Sequence, residues 1–264
     1  MKKPAIIASV VIIAVIALVG GIWLFTRDKK TETAAPAQKK RVSEPLNVIS
    51  VDARPYIKIV PASDGRNIDI VVETLNKPAT EAEYELEYQS GSLLQGAFGN
   101  IVLSDLPAKK TVLLGSCSAG GACTYHENVV GGSLVTRFSG PENYALKSDW
   151  HYIDNKSGED QVSSRDAKFQ LTADSLKKIR YTVVFNAPGM PETAPGTLMS
   201  DPYSLTASSP LSGKGSLTIR ANQEGALKIA GWDGKTWKTF EGTVDGKAVT
   251  AEVELMELYV AVVE

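Results

Sequence analysis

Only two cysteines, Cys117 and Cys123, and two histidines, His126 and His151, occur in 264 residues. That scarcity leaves too few soft ligands for the familiar four-ligand zinc sets, and without a C-x-x-C pair there is no redox-dithiol motif. A glycine-rich phosphate loop, a His-rich tract, a G-x-S-x-G elbow and a D-x-D-x-D calcium spacing are all missing from the sequence. The common signals of nucleotide, serine-hydrolase and calcium-loop chemistry are thereby lost. Past residue 25 no window of a dozen residues keeps a helical stripe, so the α/β scaffolds that carry many such motifs are not expected either. No cofactor is expected.

What the chain does have is one long apolar run. Residues 5–25, AIIASVVIIAVIALVGGIWLF, carry no charge and a single polar side chain, Ser9. As a helix this is about 31 Å long, enough to cross a bilayer once. The run continues through Trp23, Leu24 and Phe25 with no small-x-small exit and no cysteine at its end. It therefore reads as an uncleaved signal anchor, residues 1–25, with Trp23 near one interface. Lys2 and Lys3 precede it, and Arg27, Lys29 and Lys30 follow. The short basic start favours a body outside the cytoplasm; an inward body would turn the second basic cluster into a binder of anionic lipid heads.

Residues 26–45 lack periodicity and are rich in Lys, Thr, Ala and Pro, the composition of a tether. The eight basic and three acidic residues before position 46 leave 20 basic and 27 acidic beyond it, a net charge of −7. A body of that sign lacks the basic surface that nucleic acid needs, so the membrane is the expected partner and nucleic acid is not.

Strict alternation of acidic and apolar residues over Glu83–Tyr88 predicts a half-buried strand with Tyr84, Leu86 and Tyr88 facing in. Similar runs recur at 56–60, 68–75, 100–103, 111–114, 133–138, 169–171, 179–185, 215–220 and 258–263, separated by Gly, Pro, Asn and Asp. Ala173–Lys178 is the best helical stretch, at about one turn. Two Asp-Gly pairs, 233–234 and 245–246, predict two-residue hairpin turns and a three-stranded meander. Counting out from the first turn sets Ala230 opposite Trp237 and both tryptophans, Trp232 and Trp237, on one face.

A polar interval at 154–165 divides the body into two pieces, 46–155 and 156–264, each of a size suited to an immunoglobulin-like β-sandwich. The expected fold is all-β: a transmembrane helix, then two such sandwiches, with one larger bent sandwich as the alternative. SDPYSLTA at 200–207, W-D-G-x-x-W at 232–237 and the closing VELMELYVAVV resemble the immunoglobulin-like modules of anchored bacterial envelope proteins. YELEYQSGSLLQGAFGNI and the cysteine loop are similar in style to the same group. The resemblance implies location and fold, and it transfers no catalytic residue.

The stretch LGSCSAGGACTYHENV, 114–129, holds both cysteines and His126. A metal site could use Cys117, Cys123 and His126, with Glu127 or His151 as the fourth ligand, but five residues between the cysteines exceed the usual zinc spacing. A cysteine nucleophile with His126 as base matches no known hydrolase signature. A disulfide across the small-residue turn SAGGA is the preferred reading in an oxidising compartment, where closing so short a loop contributes on the order of 2 kcal/mol. Trp150, Tyr152, Trp232 and Trp237 are the candidate binding residues, since exposed rings can stack on sugars or anchor a protein. The expectation is a single-pass, extracytoplasmic envelope protein with a binding or structural role, its ligand a carbohydrate or an envelope protein. A cell-wall hydrolase, which would need a histidine beside a carboxylate or thiol, and an accessory subunit of an envelope assembly are the alternatives.

Overall fold

A computed structural model describes residues 44–264; the expected anchor at 1–25 and all but the last two residues of the tether lie outside the described residues. The first half contributes β1 (Tyr56–Pro61), β2 (Asn67–Thr74), β3 (Glu81–Ser90), β4 (Leu93–Val102), β5 (Ala108–Leu113), β6 (Gly115–Cys117), β7 (Cys123–Tyr125), β8 (Val129–Ser139) and β9 (Tyr144–Asp154). There follow β10 (Gln161–Ser163), β11 (Phe169–Thr172), β12 (Tyr181–Asn186), β13 (Thr197–Leu198), β14 (Tyr203–Ala207) and β15 (Lys214–Arg220). The last are β16 (Lys228–Trp232), β17 (Trp237–Phe240), β18 (Thr243–Asp245), β19 (Ala248–Glu254) and β20 (Leu258–Val263). The class is all-β: the only helical pieces among the described residues are two 3-10 turns, Val51–Ala53 and Asp174–Lys178. None of the described helices is long and apolar enough to cross a membrane.

A ten-stranded sheet, in the order β17-β16-β20-β14-β12-β9-β8-β3-β4 with β13 beside β20, is the frame. A three-stranded sheet, β1-β2-β5, and a five-stranded one, β10-β11-β15-β19-β18, complete the body. The polar interval at 154–165 does not part the frame, because β9 pairs with β12 from Trp150↔Phe185 to Asp154↔Tyr181. The halves 46–155 and 156–264 thus share one sheet.

Two cores lie on opposite faces of that frame. On β20, Leu258, Val260 and Val262 enter one core with Ile57, Ile68 and Trp150, while Tyr259 and Ala261 enter the other with Phe169, Leu217 and Val249. On β12, Val183 and Phe185 go one way and Val184 the other. A strand buried on both faces has no polar side to alternate with, which is why the C-terminal run is continuously apolar. Each such side chain contributes roughly 1.5–3 kcal/mol of burial. The three-stranded sheet is pinned by polar contacts as well: Thr206 Oγ1 donates to the Ile59 carbonyl, and Lys58 Nζ bridges Glu73 at 2.7 Å and Glu257 at 3.1 Å. Toward β8, β3 and β4 only the first face is covered. Among the described residues no second sheet covers the other face there.

The Asp-Gly hairpins form with corrections. Trp232 pairs directly with Trp237 and Ala230 with Thr239, so the first loop is four residues, 233–236, rather than two. Asp233 enforces it, its Oδ1 accepting from the backbone N–H of both Lys235 and Thr236. At the second, Asp245 pairs with Ala248 and Gly246 holds φ +57° in the loop. The expected three-stranded meander does not exist: β17 edges the ten-stranded sheet and β18 edges the five-stranded one, so the chain changes sheets between Phe240 and Thr243.

Candidate functional site

The cysteine stretch is a staple. Cys117 and Cys123 are disulfide-bonded across the short β6–β7 hairpin, whose side chains are largely exposed. Both sulfurs are thereby taken from the thiolate-ligand and nucleophile readings. His126 lies at the foot of the hairpin, with its Nδ1 2.8 Å from Tyr88 Oη. Burial pushes the Tyr88 phenol above its ordinary value, partly offset by a backbone bond at Gly115, so this partner stays neutral near pH 7. His151 Nδ1 is 2.6 Å from the Ser163 carbonyl and lines a shallow cleft of about 630 Å³ with Asp154, Lys156 and Gln161. Asp154 and Glu159 are the carboxylates lining that cleft, and Asp154 is engaged by Arg180 at 2.5 Å and Lys156 at 3.2 Å. The bonded partner of each histidine is thus a hydroxyl or a carbonyl. Among the described residues no group of three or more His, Cys, Asp or Glu is placed to hold a metal ion.

The four candidate aromatics are corrected by burial. Trp150, Tyr152 and Trp232 are in the core, and Trp237 is half-buried against it, 5.5 Å from the Trp232 ring. Trp150 is covered by the three-stranded sheet side of the frame, its Nε1 donating to the Glu87 carbonyl. These rings hold the fold together and do not form an exposed platform.

Among the described residues, the strand that exposes the most large apolar side chains is β4, LLQGAFGNIV, which the alternation reading reached only at its last residues. β4 ends the ten-stranded sheet and pairs with β3 alone, through ten consecutive partners from Leu93↔Ser90 to Val102↔Glu81. Leu94 is 67% exposed, Phe98 87% and Val102 67%, all on the uncovered face; Leu93 at the turn is 62% exposed. The inner face of β4 is closed by contrast. Tyr84 lies across Gly99, where a Cβ would come within 2.9 Å of the phenol oxygen, and Ile101 is buried.

Natural sheet edges are protected by shortness, Lys, Pro, bulges or a cover. The other edges here follow that rule: β17 and β18 have four and three residues, β10 three, β5 carries Lys109 and Lys110, and β1 ends in Pro61. β4 alone among these edges is ten residues long with no charge, no proline and no register shift. Among the described residues no strand pairs its other side, and its outward row of side chains runs Leu94, Gly96, Phe98, Asn100, Val102.

Across β3 that row meets carboxylates. Gly96 is opposite Glu87, Phe98 opposite Glu85, Asn100 opposite Glu83 and Val102 opposite Glu81. Arg137 Nη1 reaches Glu85 at 3.2 Å, Ser133 Oγ donates to Glu87 at 3.4 Å, and Asn100 Nδ2 donates to Glu81 at 2.6 Å. Among the described residues, Glu81, Glu85, Glu87 and Asp149 on this face stand against the cations Arg137 and Lys147. The surface is apolar at its rim and negative behind it.

Among the described residues, fold and edge together define an all-β body with one long, uncharged edge strand that has no second partner strand. No family model matches the chain, and neither a curated protein nor a solved structure matches it.

Proposed function

We propose that the protein is a single-pass, membrane-anchored envelope protein whose extracytoplasmic β body binds a protein partner through the β4 edge. The body is read as two immunoglobulin-like sandwiches that have the long sheet in common, one built with β1-β2-β5 and the other with β10-β11-β15-β19-β18. The observation that carries the binding role is β4 itself: ten residues of uncharged edge with Leu94, Phe98 and Val102 exposed. An edge of that kind is a liability unless something pairs with it. The apolar run at 5–25 supports the anchor, and the Cys117–Cys123 bond supports an oxidising compartment, where disulfides persist.

Location is tested by alkylating native membranes without reductant and weighing the peptide that carries both cysteines. An unalkylated peptide two hydrogens lighter than the dithiol is expected. Two alkylated thiols would put the body in a reducing compartment and overturn the extracytoplasmic assignment.

A further inference from the structure

We infer that the β4 edge takes up an extended polypeptide segment as an added antiparallel or parallel strand, and that this segment alternates apolar with Lys or Arg residues along its outward face. The inference rests on the binding role proposed for β4. It adds the chemistry of the partner.

A strand added beside β4 would lie one interstrand spacing away, about 4.8 Å, and bond to the backbone groups that β3 leaves unused. Its outward residues would sit beside Leu94, Gly96, Phe98, Asn100 and Val102 in turn. Beside Leu94, Phe98 and Val102 an apolar side chain covers surface that is now two-thirds or more exposed. Beside Gly96 the situation differs. A Cβ built there meets nothing closer than the Leu86 carbonyl at 3.5 Å, so the glycine leaves a notch between Leu94 and Phe98 that opens onto Glu87. A long cationic side chain can lie in that notch and reach the carboxylate behind it, with its methylenes against Phe98. Beside Asn100 a second cation would face Glu81, one pairing step along β3.

Charge also decides against the obvious alternative. A second copy would bring the same uncharged edge and no cation to a face on which, among the described residues, Glu81, Glu85, Glu87 and Asp149 outnumber Arg137 and Lys147. A foreign basic strand satisfies both the rim and the field behind it.

The test is a selection of displayed, fully randomised ten-residue segments on the full-length chain in mild detergent at low salt. A Leu94→Ser/Phe98→Ser double variant, checked for an unchanged melting profile, serves as counter-target. Expected are segments that discriminate against the double variant and are enriched in Lys or Arg at positions four residues apart, each with apolar residues two positions to either side. Their binding should weaken with salt, and Glu81→Gln and Glu87→Gln should each cost roughly three-fold in Kd. Discriminating segments without basic enrichment, indifferent to both glutamine variants, would overturn the basic partner and leave the docking edge standing. No discriminating segment at all would overturn both. Reversible dimerisation in sedimentation, abolished by the double substitution, would give the edge to a second copy and overturn the partner chemistry.

Discussion

Phe98 stands opposite Glu85 across the β3–β4 pairing, its ring 87% exposed while the carboxylate is held by Arg137 at 3.2 Å. The ion pair thus points along the sheet, away from the edge, and gives the ring no cover. A large apolar side chain in that position contributes little to the fold.

Phe98→Lys should therefore leave stability within about 0.5 kcal/mol of the parent in urea denaturation, as surface changes do. It should also weaken capture of a selected basic segment by the full-length chain, followed by titration, because a lysine on the edge removes the apolar contact and repels the segment's own cations. A loss of several kcal/mol would mean that Phe98 packs against structure rather than facing solvent.

Lys58 ties β1 to Glu73 on β2 and to Glu257 ahead of β20. Burial lowers its pKa, but the bonds and charges of the two glutamates outweigh that and raise it above 10.5. The clasp is therefore fully present below the ordinary lysine value and is lost only as pH climbs through the higher folded value. Lys58→Ala should cost about 2 kcal/mol at neutral pH, between exposed and buried ion-pair values, and less once the alkaline limit is passed. Chemical denaturation at pH 7 and pH 11 measures the difference.

Asp166 sits in the turn between β10 and β11. Burial alone would raise its pKa, yet donors from Ser164, the Lys168 backbone N–H, Tyr203 and Asn186 together hold it below 3.8. A depressed carboxylate stabilises the fold above the unfolded value and ceases to do so as pH falls through the folded one. Asp166→Asn should cost roughly 1–3 kcal/mol at pH 7. The gap from the parent should close in acid, below about pH 3.8. A gap independent of pH would assign the loss to packing instead.

Local pattern carried much of the fold. The Glu-apolar alternation at 83–88 places Tyr84, Leu86 and Tyr88 inward, and all three are buried. The short turn expected at 173–178 is the 3-10 piece Asp174–Lys178. What local pattern could not carry is which face a distant element covers. Trp150 and Tyr152 lie in one core with β1 and β2, roughly ninety residues earlier, and nothing near them in sequence announces that cover. The change of sheet after Phe240 is equally nonlocal. β4 was legible only at its end because Leu93, Leu94, Ala97 and Phe98 put apolar groups on both faces and glycines interrupt them, which erases the period of two. The available signal was a different one: a ten-residue run without charge directly after a strand with four glutamates.

Amide hydrogen exchange along Leu93–Val102 tests the central claim most directly. In the free full-length chain, the β4 amides not bonded to β3 should exchange fast, and a selected basic segment should slow those same amides while Leu86 and Leu134, already interior, change little. Amides of β4 that are uniformly slow before any segment is added, or protection that arises elsewhere with β4 unchanged, would contradict it.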